Sequence, residues 1–253
     1  MRRVEHLLRA TAKAEARHFW FRGFRAFVTP LLRDATAGRT QPLLLDCGCG
    51  TGANLDLLGR FGRAYGFDLT EIGLQIGRSA RRTRLARATV TAAPFPTASF
   101  DIVTSFDVLY SLEDADERRA IAEMYRLVKP GGFVIVNVAA MRLLRGDHSV
   151  LSREVRRYNR EDLRRRLEAA GFAILRLTYT NATLFLPLLV SRMIQRRRGL
   201  RQEAEAEHEI SVPPAPINAA MSMAMWAESL WLRVFNAPFG SSLLCLAEKP
   251  RRP

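Results

Sequence analysis

Four short runs hold the residue types that could do chemistry. In the first, LLLDCGCGTGANLDLL (43–58), an apolar run ends at Asp46, Gly48, Gly50 and Gly52 follow at alternate positions, and a helix-like segment begins. Such glycines permit positive φ and let a ligand approach the main chain, and the turn from a buried strand into a helix start is where α/β sheets hold nucleotides. The second run, RAYGFDLT (63–70), ends in Asp68 with Leu69 and Thr70 behind it. The third, SFDIVTSFDVLY (99–110), brings Phe106 and Asp107 to the end of another apolar segment. The fourth is the polar, basic connection 141–158, which contains His148 and Tyr158.

The glycine spacing alone does not select the ligand. Gly48, Gly50 and Ala53 satisfy the dinucleotide pattern G-x-G-x-x-G/A, and Asp68 lies in range of a ribose-binding acid. Asp46 separates the alternatives. A carboxylate two residues before the first glycine would repel a pyrophosphate, whereas it would favour the ammonium and sulfonium end of S-adenosylmethionine, directly or through water. Electrostatics therefore favours the methyl donor. Cys47 and Cys49 read as small packing residues in the loop.

Placing these runs requires alternating strands and helices. Residues 3–34 read as helical, and RHFWFRGFRAFV within them is either a helix covering one end of the sheet or a lid with Trp20 or Arg25 facing the cofactor. Strands are expected at 43–46, 63–68, 88–91, around Ile102 and Val103, at Phe133–Ala139, at Phe172–Thr180 and at Ser242–Lys249. Thr70 is placed to cap the helix after the second strand, and Asn159 and Gly171 to bound the helix before the sixth. Arg78, Arg81, Arg82, Arg84 and Arg87 crowd the second-strand helix and its exit, as a solvated face or else an anion-binding patch. This order predicts a doubly wound, mostly parallel α/β sheet. A single domain is expected over 1–253: a helical cap (1–40), a cofactor-binding core (41–180), a helical insertion acting as an acceptor lid (181–236), and a final strand and tail (237–253).

With 48% apolar residues in 253, the chain can bury a full core. The net charge of +14 comes almost wholly from arginine, since the lysines are only Lys13, Lys129 and Lys249. It fits an arginine-rich gene composition as well as attraction to nucleic acid, phospholipid or an acidic substrate. Three cysteines without a CxxC pair predict a reducing, cytoplasmic setting rather than a disulfide framework, and no signal peptide is seen. The longest apolar stretch, 182–194, is about 13 residues against the roughly 20 needed to span a bilayer. No metal-ligand cluster is evident.

The glycine run, YGFDLT, APFPTASFDIVTSFDVLYSLED and LVKPGGFVIVNVA make residues 43–140 similar to class I S-adenosylmethionine-dependent methyltransferases of the bacterial type eleven kind. HFWFRGFR, RRYNREDLRRRLEAAGF, PAPIN and PFGSSLLCLAEKP resemble a subgroup of such enzymes. The resemblance implies a Rossmann-like sheet of seven strands with S-adenosylmethionine as cofactor. Gly48, Gly50 and Gly52 would lie beneath its methionine portion with Asp46 nearby. Asp68 would accept from both ribose hydroxyls, Leu69 would pack on the adenine, and Thr91 and Ala92 would lie near the adenine edge. Phe106 and Asp107 would floor the pocket near the transferred methyl. The chain departs from its relatives where RATVTAAP lacks their adenine-facing acid. It also has Ser111 where they often have histidine, and His148-Ser149 where they often have His-Asp.

The expected chemistry is methyl transfer to oxygen or nitrogen of a small-molecule or lipid-like acceptor, with His148 as leading base candidate and Tyr158 and Asp107 as alternatives. Residues 184–201, apolar with arginines at one end, offer a possible peripheral membrane contact. Nucleic-acid methylation is the rival that the charge raises. SFDVLY lacks the Asn/Asp-Pro-Pro-aromatic signature of base-amino methylation, and no appended RNA-binding module is present. A non-catalytic cofactor-binding or assembly protein is the rival from another class.

Overall fold

The computed structural model describes residues 2–199 and 211–251, apart from the side chains of residues 2–7, 148 and 151. Seven strands form one sheet in the order β3-β2-β1-β4-β5-β7-β6. These are β1 (Leu43–Cys47), β2 (Arg63–Asp68), β3 (Leu85–Arg87), β4 (Phe100–Phe106), β5 (Val128–Ala139), β6 (Ala173–Thr180) and β7 (Ser242–Glu248). The first five pair in parallel, while β7 runs antiparallel between β5 and β6. The sheet is thus doubly wound and mostly parallel, with one antiparallel insertion. The central strands β1, β4 and β5 are buried almost throughout, as the apolar runs require of a sheet covered on both faces.

The helices are α1 (Arg2–Ala14), α2 (Phe19–Thr36), α3 (Leu55–Leu58), α4 (Glu71–Ser79), α5 (Asp114–Leu127), α6 (Asp147–Leu151), α7 (Arg160–Ala169), α8 (Phe185–Arg197) and α9 (Ala215–Trp231). Winding reverses between β1 and β4, so the right-handed crossovers put α3 and α4 on one face and α5 on the other. α2 joins α3, α7 joins α5, and α9 lies on α2 as a second layer. Gly23 of α2 makes that last packing close: a side chain there would run into Met225 of α9.

Several boundaries differ from the sequence reading for identifiable reasons. The continuous helix expected over 3–34 breaks at residues 15–18, because His18 caps α2 by accepting the Trp20 N–H at Nδ1, 3.1 Å away. The third strand is Leu85–Arg87, not 88–91. Arg81 turns left-handed after α4 (φ 62°), and the chain then pairs Leu85, Ala86 and Arg87 with Gly66, Phe67 and Asp68. Residues 89–92 fold instead into a tight turn closed by a Thr89–Ala92 bridge. Thr70 occupies the cap position of α4, but its hydroxyl accepts no helix N–H; its own N–H donates to Asp68 Oδ1 at 2.8 Å. Asn159 does cap α7, accepting from the Asp162 N–H at 2.8 Å, and Gly171 (φ 100°) follows that helix. The charged stretch 201–209, including His208, lies outside the described residues.

The insertion is anchored by a buried acid. Glu228 of α9 accepts the Ala182 and Thr183 N–H groups at 2.9 and 3.0 Å, and the Thr183 hydroxyl at 2.7 Å. Glu228→Ala leaves three donors unmatched, and a loss of roughly 2–3 kcal/mol is expected. Faster amide exchange over 181–188 in that variant is the measurement that checks it.

Candidate active site

β1, β2 and β4 end side by side where the winding reverses, and the crevice outside such a point is where α/β sheets bind ligands. Asp46 stands in register with Gly66 on one side and Thr104 on the other. Beyond it, Gly48, Gly50 and Gly52 have φ of 78°, 56° and 74°, conformations that explain why all three are glycine. The Gly48 and Cys49 N–H groups both donate to the Phe67 carbonyl at 2.9 Å, tying the loop to β2. A side chain at Gly48 would also meet Val108, from the turn after β4. Gly48→Ala is expected to weaken S-adenosylhomocysteine binding about ten-fold or more from backbone strain alone, measured by calorimetry.

Asp68 closes the other side of this loop. Its Oδ2 accepts the Gly50 N–H and its Oδ1 the Thr70 N–H, each at 2.8 Å. Each oxygen keeps a further lone pair, so the carboxylate can hold the loop and still receive a ligand hydroxyl. Next to it Leu69 is 63% exposed, an apolar side chain left in water at the rim of a crevice.

Asp46 is buried, with only 1% of its surface exposed. Oδ1 accepts the Thr104 hydroxyl at 2.7 Å, whereas buried Oδ2 has no hydrogen-bond partner. Burial, with the Asp68 charge nearby, pushes its carboxyl up to about 7, against the pull of Thr104 and Asn54. A buried carboxylate with one oxygen unmatched at the floor of a glycine cradle fits a cationic group, and the exposed Leu69 fits an apolar ring.

β4 supplies the opposite wall. Phe106 is buried and meets Phe24 of α2 edge-on at 4.9 Å between ring centres, so the helical cap reaches the crevice through Phe24. Asp107 follows with φ 60°, unusual for a residue with a side chain and frequent at functional sites. Its N–H donates to the Asn137 carbonyl at 2.9 Å, and its Oδ1 accepts from the Asn137 amide at 3.0 Å. Desolvation by the neighbouring walls pushes its carboxyl upward against the pull of Asn137 and Arg157, but the side chain is exposed and water screens that push.

The remaining expected site residues are scattered. Thr91 and Ala92 lie in the turn after β3, with the Thr91 hydroxyl 2.9 Å from that of Thr89. Trp20 is half-buried, its ring edge-on to Phe19. Arg25 donates twice to the Glu15 carbonyl at 3.1 Å, and lines a cavity of about 600 Å³ among α1, α2, α3 and α4 rather than the crevice of Asp46 and Asp68. Tyr158 is buried, and its hydroxyl donates to Glu117 at 2.6 Å. Burial and that acid push the phenol well above its ordinary range, which does not suit a base. His148 lies on α6; its side chain is outside the described ones.

Thr104, Phe24, Val108 and Asn137 join the site without having been singled out in the sequence. Only Asn137 carries a signal there, a polar residue inside the apolar run FVIVNVA. At the back of the glycine loop, Glu15 accepts the Thr51 hydroxyl at 2.9 Å, while Arg82 donates to the Thr51 carbonyl at 3.1 Å and pairs with Asp56. This network fixes the end of α1 against the loop.

Residues 45–136 match the family model described as a methyltransferase domain. That match covers over a third of the chain, the part that builds this crevice, and makes residues 45–136 similar to methyltransferase domains. It is 28% identical over 217 residues to a Mycolicibacterium smegmatis protein named a probable S-adenosylmethionine-dependent methyltransferase, covering 84% of this chain and 76% of that one. It is 32% identical over 117 residues to a Psychromonas ingrahamii ubiquinone/menaquinone biosynthesis C-methyltransferase, covering 41% of this chain and 45%, less than half, of that protein. Among solved structures, a chain of the Haloferax volcanii complex between the Trm112 methyltransferase activator and a methyltransferase superposes with a TM-score of 0.62. The identity is 17%, with 96% of this chain and 97% of that one covered, a likeness of fold.

Proposed function

We propose that the chain methylates oxygen or nitrogen of a small-molecule or lipid-like acceptor. S-adenosylmethionine, when bound, supplies an electrophilic methyl on a sulfonium. Asp46 faces its cationic end and Asp68 receives the ribose hydroxyls. Leu69 packs on the adenine beside Thr91 and Ala92, and the three glycines let the backbone close on the methionine portion. Phe106 forms the floor. The single observation that carries the acceptor side is the placement of Asp107: an exposed carboxylate just after β4, in a left-handed conformation and held by Asn137. A carboxylate held in place beside the reacting centre is suited to taking the proton from a hydroxyl or ammonium acceptor. The relative named for ubiquinone/menaquinone biosynthesis supports a lipid-like acceptor, although as a C-methyltransferase it lends no support to oxygen or nitrogen as the atom methylated.

Asp107→Ala is expected to lower turnover about 100-fold or more while leaving S-adenosylhomocysteine affinity within a few-fold. The assay follows labelled methyl from S-adenosylmethionine into lipid and aqueous extracts. Unchanged turnover in Asp107→Ala with a large loss in His148→Ala would move the base to α6.

A further inference from the structure

α9 is folded inside out with respect to polarity. Its buried side carries Asn218, Glu228 and Ser229, 9%, 5% and 4% exposed, and only Met225 among the long apolar residues is fully enclosed. The outward side carries Met223, Trp226, Ile217 and Trp231, exposed by 66%, 58%, 52% and 46%. A helix on a water-facing surface normally shows the reverse arrangement. The inward polar groups are matched: Asn218 accepts the Phe19 N–H and donates to the Arg17 carbonyl, and Glu228 holds residues 182 and 183. The orientation is therefore fixed by the fold.

α8 continues the pattern. It buries Leu184 at its start and Gln195 near its end, while Leu186, Val190, Met193 and Ile194 are 69%, 56%, 47% and 59% exposed. These positions, at i, i+4, i+7 and i+8, make one continuous apolar stripe facing out. The Phe185 and Phe239 rings meet at 5.1 Å, linking the start of α8 to the segment after α9, where Val234 and Phe235 are also exposed. Patches of this size mark an interaction surface.

Charge selects the occupant. Residues 181–199 contain four arginines and no acid, and 211–240 contain only the buried Glu228 and exposed Arg233. Exposed Arg197 ends α8, Arg233 follows α9, and exposed Arg17 sits at the start of α9 through its carbonyl bond to Asn218. Among the described residues no helix is long and apolar enough to cross a membrane. An uncharged apolar face with tryptophans, edged by arginines and too short to span, has the chemistry of an in-plane contact with an anionic bilayer. We propose that the outward faces of α8 and α9 dock this protein on an anionic phospholipid surface. The inference does not depend on the acceptor, nor on the methyl-transfer reading.

The test is co-sedimentation of the full chain with vesicles of phosphatidylcholine, with and without phosphatidylglycerol, together with tryptophan emission. The wild type is expected to bind the anionic vesicles about ten-fold or more tightly than the neutral ones, with a blue shift and with sensitivity to salt. Val190→Glu/Ile194→Glu and Met223→Glu/Trp226→Glu should each lose that binding by about ten-fold or more while keeping circular dichroism and S-adenosylhomocysteine affinity. These positions are exposed, so the variants should fold. Wild type remaining in the supernatant with both vesicles overturns the proposal. So does a stable dimer, seen by light scattering, that the same substitutions dissociate, because a second copy would then be covering the face.

Discussion

Asp46→Asn should bind S-adenosylhomocysteine about 10- to 100-fold more weakly than wild type, the loss of one charge-assisted hydrogen bond, yet melt at a higher temperature above pH 7. Asparagine keeps an acceptor for the Thr104 hydroxyl, which donates to Asp46 Oδ1. It removes the buried charge. The Asp46 carboxyl is held at about 7 in the fold against an ordinary 3.8, so the folded state retains a proton that the unfolded chain has lost. Stability from this group is therefore highest below pH 4, declines as pH rises from about 4 to 7, and stays low beyond. The full excursion is at most roughly 4 kcal/mol. The Asn variant lacks that decline, so its melting advantage should be near zero at pH 4 and fully developed at pH 8. A cationic ligand group beside Oδ2 would pull the pKa back down. Wild-type affinity should then rise through pH 7 with proton release, and the variant should show neither effect. Thermal denaturation and calorimetry across pH check both halves.

The second large effect is on stability. Glu117 sits in the first turn of α5 with a fully buried side chain, and takes bonds from Arg156, Arg166 and Tyr158. Removing one partner of such a cluster costs about 3–5 kcal/mol. Exposed Asp114 still faces both arginines at 2.8 and 3.3 Å, which places Glu117→Ala near the lower figure. A drop in melting temperature of roughly 6–12 °C follows for a chain of this size. The damage should be local first. Tyr158 donates its backbone N–H to Ala139 and accepts from the Met141 N–H, so the cluster pins the whole connection from β5 to α7. Amide exchange over 141–158 should accelerate before global unfolding does. A change of less than about 1 kcal/mol would mean that the backbone bonds hold this connection without the acid.

Much of the cofactor side could be read from the chain because its requirements are local. Positive φ at three alternating positions demands glycine, and a strand that ends in a carboxylate beside such a loop leaves few ligands possible. The acceptor side depends on contacts made across the chain. Glu117 meets Tyr158 from 41 residues away and Arg166 from 49, and Asp107 is held by an amide 30 residues on. Tyr158 is an alternative base candidate from its position in the chain, and its bond to Glu117 is invisible there. Whether the aromatic helix covers the sheet or turns Arg25 to the cofactor is not decided by its composition; the break at residues 15–18 gives Arg25 the Glu15 carbonyl. The strand at Leu85–Arg87 was hidden by arginines at both ends, which read as the exit of a solvated helix. The helical insertion expected over 181–236 contains α9, rich in methionine and tryptophan, yet composition cannot say which side turns inward. That side is set by Asn218 and Glu228 finding backbone partners.

The central claim is that the crevice bounded by Asp46, the glycine loop and Asp68 holds the methyl donor. Calorimetric titration of the wild type and Asp68→Ala with S-adenosylhomocysteine tests it most directly, since Asp68 ties the loop through the Gly50 N–H and is the acid proposed to receive the ribose hydroxyls. One equivalent should bind the wild type, with affinity at least about 100-fold weaker in the variant, the loss of two charge-assisted bonds. No binding to folded wild type, or equal binding to both proteins, would contradict the account.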